Sequence, residues 1–358
     1  MSQSNIKIKK RQDRFNPTEK IPFGVLRTDQ MVIMHYTNQK WQPPQIVPYQ
    51  DLTIAPGAIG LHYGQQIFEG CKAFRHKDGK MYLFRPHKNA DRFNHSAQIL
   101  CMPTIPPKNQ IQAMQSLIAA ERLWYPNQDG ACFYVRPFRI GTEDALGVRP
   151  SSTYTYAIIL SPSGPYFKDG FNPISLLITP QFHRAAPGGS GTAKAGGNYA
   201  ASLRAAQKAA TLGAKQVLYL DVTNTYIEEA GAMNHFHVTN KGEIIIPTFT
   251  DSILRSITSE SIIELAHQLG HPVRQENIKI ADFIASIKNK TIVEAGGLGT
   301  AAVVAPVSKY IIDKGNEQYE ELIVGNGNIG PITEKMYELL TDIQYGRRKA
   351  PEGWLVEC

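Results

Sequence analysis

Hydrophobic and polar positions along the chain follow two periods, which predict two kinds of element. In 131–141 (ACFYVRPFRIG) strict alternation puts Phe133 and Val135 on one face and Tyr134 and Arg136 on the other, as in a strand. Short apolar stretches predict further strands at 31–36, 154–160, 174–179 and 216–221. Apolar residues spaced three and four apart predict helices at 89–100, 110–124, 261–270 and 330–346. The mixture of both periods predicts an α+β (two-domain α/β) fold.

A stretch rich in proline and glycine divides this pattern. Residues 161–173 (SPSGPYFKDGFNP) interrupt both periods, which is typical of a connection between domains. We therefore predict a small N-terminal domain over 1–160, opening with a basic arm over 1–20, then a linker over 161–173. A larger domain follows over 174–358. A length of 358 residues suits two domains of ordinary size.

Composition excludes several classes of protein. Hydrophobic residues make up 42% and charged residues 19%, which is typical of a globular and not a disordered chain. No apolar run reaches the length of a membrane-spanning helix, so we expect no membrane contact. The net charge of +7 is scattered, so we expect no nucleic acid partner. Four widely separated cysteines suggest neither a metal site nor a disulfide framework, and hence a cytoplasmic protein.

A glycine-rich run around one lysine is the first candidate for chemistry. In 188–202 (GGSGTAKAGGNYAAS) Lys194 lies between two alanines, so the serine or threonine that a nucleotide-binding P-loop requires is missing. No strand with a Gly-x-Gly-x-x-Gly turn leads into the following helix either. Small neighbours leave the amine open to a ligand, which suits a nucleophile. A flexible connector with a solvated lysine is the alternative interpretation.

Three further stretches carry polar groups at positions that suit a cofactor. Glu228 and Glu229 precede an apolar strand, hydroxyl side chains crowd a helix start within 252–265, and a glycine turn at 296–299 precedes Thr300. Each alone is explained by an ordinary strand end, helix cap or tight turn. Together with Lys194 they supply a lysine, a carboxylate and two phosphate-binding turns, which is what pyridoxal phosphate chemistry requires.

Six ordered segments then resemble a known family, the branched-chain amino acid aminotransferases among the class IV (fold type IV) pyridoxal-phosphate enzymes. The resemblance extends from about Phe23 to the last helix. It implies a small N-terminal α/β domain, a larger domain with a barrel-like core and an active site between them. The segments are LHYGQQIFEGCKAFR, FRPHKNADRFNHSA, YVRPFRIGTEDALGV, KAGGNYAASL, YIEEAGAMN and GTAAVVAPV.

The resemblance implies a role for each matching residue. Lys194 would carry the cofactor and act as catalytic base, and Glu229 would face the pyridine nitrogen. The other cofactor-binding residues implied are Arg92, Tyr199, Leu254, Ile257, Thr258 and Thr300. The substrate-binding residues implied are Phe23, Tyr63, Phe68, Tyr134, Arg136, Met233 and Ala301, with Leu146 and Val148 supplied by the partner subunit of a homodimer.

The implied activity is reversible ping-pong transfer of the amino group of L-leucine, L-isoleucine or L-valine to 2-oxoglutarate. Within the fold, a D-amino-acid aminotransferase and an aminodeoxychorismate lyase are alternatives. A phosphate- or nucleotide-binding protein without catalysis is the alternative from another class. One loop departs from the family pattern, since Ser256 and Ser259 replace a glycine and an arginine. We expect Ser256 to donate to the cofactor phosphate, with Arg255 adding positive charge.

Overall fold

The structure is a computed structural model that describes residues 13–19, 21–165 and 170–358. Most of the predicted basic arm, and residues 166–169 of the predicted linker, lie outside these ranges. The strands are β1 (Gln30–Thr37), β2 (Lys40–Trp41), β3 (Gln45–Pro48), β4 (Gln66–Phe68), β5 (Cys71–Arg75), β6 (Met81–Phe84), β7 (Cys132–Gly141), β8 (Tyr154–Ser163), β9 (Ile174–Ile178), β10 (Gln216–Leu220), β11 (Ile227–Ala230), β12 (Met233–Thr239), β13 (Ile244–Pro247), β14 (Val273–Glu276), β15 (Ile292–Gly299), β16 (Val303–Asp313), β17 (Tyr319–Ile323) and β18 (Leu355–Glu357). The helices are α1 (Ile59–His62), α2 (Pro86–Ile99), α3 (Pro107–Ala120), α4 (Gly196–Ala201), α5 (Leu203–Thr211), α6 (Ile257–Gln268), α7 (Ile280–Lys288) and α8 (Pro331–Gln344), with a short 3₁₀ helix at Arg122–Trp124.

The chain divides into two compact units. The first consists of Met1–Lys168 with Gln344–Cys358, and the second is Asp169–Ile343. The division between the units falls inside the predicted linker over 161–173, and two features differ from the predicted domains. β8 runs to Ser163, into the predicted linker, because its pairing with β7 continues to the register Cys132↔Ser163. The C-terminal segment belongs to the first unit because β18 pairs with β6 of that unit.

The first unit is an antiparallel sheet covered by helices. Its strands follow the order β18-β6-β5-β7-β8-β1-β2, with β3 beside β1 and β4 beside β7. Helices α2 and α3 pack together, and α3 lies against β1 and β8. Phe74, Phe93 and Phe133 fill the core and are almost fully buried. β4 and β7 carry three of the first unit's candidate site residues, Phe68, Tyr134 and Arg136.

The second unit contains a closed barrel. Its strands follow the order β11-β10-β9-β16-β15-β12, and the pairing of β11 with β12 closes a ring of six strands. β13 and β14 extend the sheet from β12, and β17 pairs with β16. Leu176, Leu218, Phe283 and Tyr310 belong to its buried core. The α+β class and the barrel-like core predicted from the sequence are confirmed.

The alanine-rich segment after Lys194 forms two helices. α4 ends at Ala201 and α5 begins at Leu203. The side chain of Ser202 donates to the carbonyl oxygen of Tyr199 at 2.7 Å, and its backbone N–H also points to the Tyr199 and Ala200 carbonyls. Serine competes in this way for backbone acceptors and tightens a helix end. The interruption fixes α4, and with it Tyr199, beside Lys194.

Candidate active site

Lys194 lies in a loop whose own hydrogen bonds hold it in place. Asn198, in the first turn of α4, donates to the carbonyl oxygens of Ser190 and Ala193, at 2.7 and 3.0 Å. These bonds close the loop around Lys194. The half-buried Nζ of Lys194 donates to the hydroxyl of Tyr199 at 2.9 Å. The amine is therefore aimed by a neighbouring hydroxyl, as a nucleophile or base requires.

A bulge in β11 presents two carboxylates. The register between β10 and β11 slips between Tyr219 and Leu220, opposite Glu228 and Glu229. A bulge breaks the alternation of side chains and re-aims them, which is common beside active sites. Both carboxylates therefore contact the loop before α6. Ser252 Oγ donates to Glu228 Oε1, and the Leu254 backbone N–H donates to Glu229 Oε1 at 2.6 Å.

Glu229 is the strongest candidate for a charged cofactor contact. It is buried, and burial raises its pKa to about 7, while Arg184, the Leu254 N–H and Lys194 each lower that pKa. Arg184 Nε lies 3.2 Å from Glu229 Oε2. The structure thus places Lys194, Tyr199, Glu229 and Leu254 in one neighbourhood of the second unit. A carboxyl group of this pKa changes charge near neutral pH.

The N-terminus of α6 provides the first anion-binding turn. Ser256 caps this helix with its side chain, which accepts the N–H of Ser259 at 3.2 Å. Within the described residues, the backbone N–H groups of Ile257 and Thr258 have no acceptor. Free N–H groups at a helix start attract anions. This arrangement suits the phosphate-binding role that the sequence assigned to Ile257 and Thr258.

The structure gives the Ser256 hydroxyl partners other than the expected phosphate. Its hydroxyl donates to the carbonyl oxygen of Leu298 at 3.3 Å and accepts from Ser259, so the proton that a phosphate would need is already used. Arg255 is exposed, and its guanidinium lies 5.8 Å from the centre of the Phe249 ring. Ser256 has φ −79°, so replacing the family's glycine causes no backbone strain. The serine instead fastens the start of α6 to the end of β15.

The hairpin between β15 and β16 provides the second turn and carries Thr300 and Ala301. The small residues beside it let a neighbouring side chain approach, since a Cβ at Gly297 would lie 2.7 Å from Met233 Cε. Met233 therefore packs directly on β15. The hairpin ends at Val303, whose φ of +66° is rare for a β-branched residue. Such strain persists only where the surroundings enforce it, which is typical of ligand-binding turns.

In the first unit, Arg92 is held by a buried carboxylate that the sequence analysis did not single out. Arg92 Nε donates to Glu69 Oε1 at 2.6 Å and Nη2 to Oε2 at 3.0 Å, with side chains 11% and 1% exposed. Asn89 and the Gly70 N–H also donate to Glu69. A bidentate pair fixes the plane of the guanidinium. Glu69 thus orients Arg92.

Four predicted substrate residues form one aromatic and cationic cluster in the first unit. The rings of Phe23 and Tyr134 have centroids 4.8 Å apart. Arg136 Nη2 donates to the Tyr134 hydroxyl at 2.8 Å, and its guanidinium lies 4.7 Å from the Phe68 centroid. Lys72, which the sequence analysis did not single out, lies 5.6 Å from the Phe23 centroid, and burial lowers its pKa. The cluster offers an apolar surface edged by cations.

The remaining predicted substrate residues of the first unit are exposed. Leu146 is 73% and Val148 is 87% exposed, and Tyr63 is also open to solvent. None of the three joins the aromatic cluster by a ring contact or hydrogen bond in the described ranges.

The second unit's residues fit pyridoxal phosphate. Glu229 offers a buried acceptor for a ring N–H, and Tyr199 lies within hydrogen-bonding distance of the amine at Lys194. The backbone N–H groups of Ile257 and Thr258, which have no acceptor within the described residues, suit a phosphate. The fit therefore rests on groups that the fold already presents, with a lysine, a carboxylate and an anion-binding helix end in one unit.

Comparison with known proteins places these residues in a family. Residues 66–310 match the amino-transferase class IV family. Branched-chain-amino-acid transaminase 1 of Bacillus subtilis is 43% identical over 338 residues, covering 94% of this chain and 93% of the relative. The branched-chain-amino-acid aminotransferase of Mycolicibacterium smegmatis is 41% identical over 339 residues, covering 93% of this chain and 91% of the relative.

Solved structures agree with the fold. The branched-chain amino acid aminotransferase of Escherichia coli superposes with a TM-score of 0.76 at 28% identity, covering 92% of this chain and 99% of that one. The branched-chain amino acid aminotransferase of T.th., solved with pyridoxamine 5′-phosphate, gives a TM-score of 0.74 at 26% identity, covering 91% of this chain and 97% of that one.

Proposed function

The chain belongs to the amino-transferase class IV family, and we propose that it is a branched-chain amino acid aminotransferase using pyridoxal 5′-phosphate. It transfers the amino group of L-leucine, L-isoleucine or L-valine reversibly to 2-oxoglutarate. The observation that carries this proposal is the neighbourhood of Lys194, Tyr199 and the buried Glu229 in the second unit. A phosphate-binding protein without catalysis has no use for a lysine and a carboxylate arranged in this way.

Lys194 is the residue that moves the proton. When bound, the cofactor supplies an electron sink for the carbanion formed at the substrate Cα. Lys194 Nζ takes the Cα proton as general base and returns a proton as general acid, and Tyr199, 2.9 Å away, orients the amine. The loop hydrogen bonds of Asn198 keep this amine in place while the proton moves.

Glu229 is proposed to stabilise the positive charge of the cofactor's pyridine ring. An ionised carboxylate accepts the N–H of a protonated pyridine and stabilises its positive charge. The Leu254 N–H bond to Glu229 Oε1 and the Arg184 contact at Oε2 both favour the ionised form. The Leu254 side chain is proposed to pack on the ring face.

The phosphate is proposed to bind at backbone groups and one arginine. The N–H groups of Ile257 and Thr258 supply a helix end, and Thr300 supplies the second turn. Arg92 of the first unit, whose plane is fixed by Glu69, is the cation that the family resemblance assigns to the phosphate.

Substrate selection is proposed to follow from an apolar surface with cations at its edge. In the first unit, Phe23, Phe68 and Tyr134 accept an aliphatic side chain. Arg136 accepts a carboxylate, which lets this surface bind a branched-chain amino acid and 2-oxoglutarate in turn. The exposed Leu146 and Val148 are proposed to complete the site of a partner in a homodimer. The free buried thiols of Cys71 and Cys132 suit the reducing cytoplasm, where we propose that the enzyme acts.

An assay of substrate range tests the proposal. The purified chain with pyridoxal phosphate is expected to form glutamate from 2-oxoglutarate with L-leucine, L-isoleucine and L-valine, and none with D-leucine. Turnover of D-amino acids alone would identify a D-amino-acid aminotransferase. Release of pyruvate from aminodeoxychorismate, without transamination, would identify the lyase.

A further inference from the structure

Arg184 is a buried cation that faces Glu229 and lies outside the segments that carry the family resemblance. It follows β9 in the chain, and its side chain is 7% exposed beside that of Glu229 at 4%. Its Nε lies 3.2 Å from Glu229 Oε2, but the N–H does not align with that oxygen as a hydrogen bond requires. The contact is therefore an ion pair without a directional bond.

The same guanidinium is anchored at two other points. Arg184 Nη2 donates to the carbonyl oxygen of Gly191 at 3.1 Å and to that of Ser252. Gly191 belongs to the loop that carries Lys194, and Ser252 precedes Leu254. These anchors hold the positive charge in a fixed place, because two segments of the site must move before Arg184 can.

Glu228 also lies beside Glu229, and its charge is opposite in sign to that of Arg184. It is buried next to Glu229 in the β11 bulge, where Ser252 Oγ donates to its Oε1. Its Oε2 is buried and has no hydrogen-bond partner within the described ranges. Burial raises the pKa of Glu228, and Arg184 lowers it. The charge of Arg184 thus lowers the pKa of two buried carboxyl groups, those of Glu228 and Glu229.

We propose that Arg184 and Glu228 set the charge of Glu229 in opposite directions, Arg184 as the positioning residue that keeps the carboxylate ionised and Glu228 as the neighbour that opposes it. The inference rests on the proposed function, because an ionised Glu229 is what a protonated pyridine nitrogen needs as a partner. Neither residue has a role in the family resemblance described above.

The balance of surrounding charges makes Glu229 sensitive to both neighbours. The charges facing Glu229 are those of Arg184, Lys194 and Glu228, and the charges of Arg184, Asp221 and His183 face Glu228. The pKa of Glu229 is raised to about 7, mainly by burial. Near neutral pH, a shift of this pKa in either direction therefore changes the ionised fraction more than it would for an ordinary glutamate.

The test measures the charge of Glu229 itself in the full-length chain before pyridoxal phosphate is added. Side-chain carboxyl signals of ¹³C-labelled glutamate are titrated by NMR, and Glu229→Gln identifies the signal. Arg184→Gln is expected to raise the titration midpoint of Glu229 by about one to three pH units, the size expected for a lost opposite charge. Glu228→Gln is expected to lower it, and Arg184→Lys to restore most of the wild-type midpoint.

Arg204→Gln is the matched control, because Arg204 is an exposed arginine of the same unit whose guanidinium lies on the Phe182 ring. The titration midpoint of Glu229 in this variant is expected to equal that of the wild type. If Arg184→Gln fails to fold, the Glu229 midpoints of Glu228→Gln and Arg184→Lys still test the inference. Unchanged midpoints in the Arg184 and Glu228 variants, or shifts in the same direction, would overturn the inference.

A second readout follows the cofactor. With ¹⁵N-labelled pyridoxal phosphate bound, the ring nitrogen is expected to lose its proton at lower pH in Arg184→Gln than in the wild type. A chain that binds the cofactor and transaminates leucine, with identical midpoints in all variants, refutes this inference and leaves the proposed function intact. A chain with the expected midpoints that takes up no pyridoxal phosphate refutes the proposed function alone.

Discussion

At the scale of single residues, the site depends on buried charges that are paired across the sequence. Arg92 and Glu69 lie 23 positions apart, and Arg184 and Glu229 lie further apart still. Motif reading identified Arg92 and Glu229 because the family resemblance includes them. It did not identify Glu69 and Arg184 as their partners, because side-chain pairing between distant segments depends on the folded backbone. The glutamate in FEG was visible in the sequence, but nothing there connected it to an arginine on α2.

Replacing Glu69 by glutamine is expected to leave Arg92 buried without a balancing charge. Losing one partner of a buried ion pair costs about 3–5 kcal/mol. Urea denaturation is therefore expected to show a loss of about 3 kcal/mol, and the affinity for pyridoxal phosphate is expected to fall because Arg92 loses its fixed plane.

The matched control is Glu357→Gln, which breaks the exposed pair with Lys80, whose side chains are 54% and 52% exposed. An exposed pair contributes at most about 1 kcal/mol. Equal losses of stability in the two variants would contradict the role assigned to Glu69.

At the scale of elements, periodicity predicted many strands and helices but not their irregularities. A period of two places Glu228 and Glu229 on opposite faces of β11, whereas the bulge lets both side chains contact the loop before α6. The helix after Lys194 breaks at Ser202 because a side chain competes for a backbone carbonyl. β18 has only three residues, too few for a recognisable pattern. Such features depend on local competition between hydrogen bonds, which a hydrophobic pattern does not record.

The start of α6 should respond to Ser256 and not to Arg255. Ser256→Ala removes the helix cap and the bond to Leu298, and is expected to cost about 1 kcal/mol. Cofactor affinity is expected to fall with it, since α6 loosens from β15. Arg255→Ala is the control, because the exposed arginine supplies neither bond. Thermal denaturation and cofactor titration measure both effects, and an equal response of the two variants would contradict this account of the turn.

β12 carries two buried histidines whose protonation opposes folding. His235 and His237 lie on the same face beside Phe283, and neither ring nitrogen of His235 has a hydrogen-bond partner within the described part of the chain. Burial lowers the pKa of His237 to about 3 and that of His235 well below its usual value. The unfolded chain therefore binds more protons than the folded chain once the pH falls below about 6.5.

The sign of the pH dependence follows. The stability that the neutral histidines contribute is complete above about pH 6.5 and is lost as the pH falls toward 3, by about 1.4 kcal/mol per pH unit for each histidine. Urea denaturation at pH 7.5 and pH 5.5 is expected to show a smaller loss in His235→Leu/His237→Leu than in the wild type. His87→Leu, at an exposed position of α2, is the control. A loss equal to that of the wild type in the double variant would contradict the assignment.

At the scale of the whole molecule, the α+β class and the barrel-like core were predictable, since the resemblance covers most of the chain. The place of the C-terminal segment was not, because this segment returns to the first unit through β18. A sequence records the order of segments and not which sheet a final strand joins. Leu146 and Val148, which the family resemblance assigns to a partner's site, are exposed in the first unit.

The homodimer is tested at those two positions. Leu146→Asp/Val148→Asp places charges on the surface proposed to face a partner, and burying unpaired charges opposes association. Analytical ultracentrifugation is expected to show a dimer for the wild type and a shift toward monomer for the variant, with loss of transaminase activity. A variant with unchanged mass and activity would contradict the proposed interface.

The proposed function requires Lys194 and bound pyridoxal phosphate to take the amino group from a branched-chain amino acid. The most direct measurement is the half-reaction, in which the cofactor-loaded chain meets L-leucine without any 2-oxo acid. The yellow colour is expected to be lost and one equivalent of 4-methyl-2-oxopentanoate per chain to be released, with none from Lys194→Ala. Retention of the colour with no 2-oxo acid released, or equal release from Lys194→Ala, would contradict it.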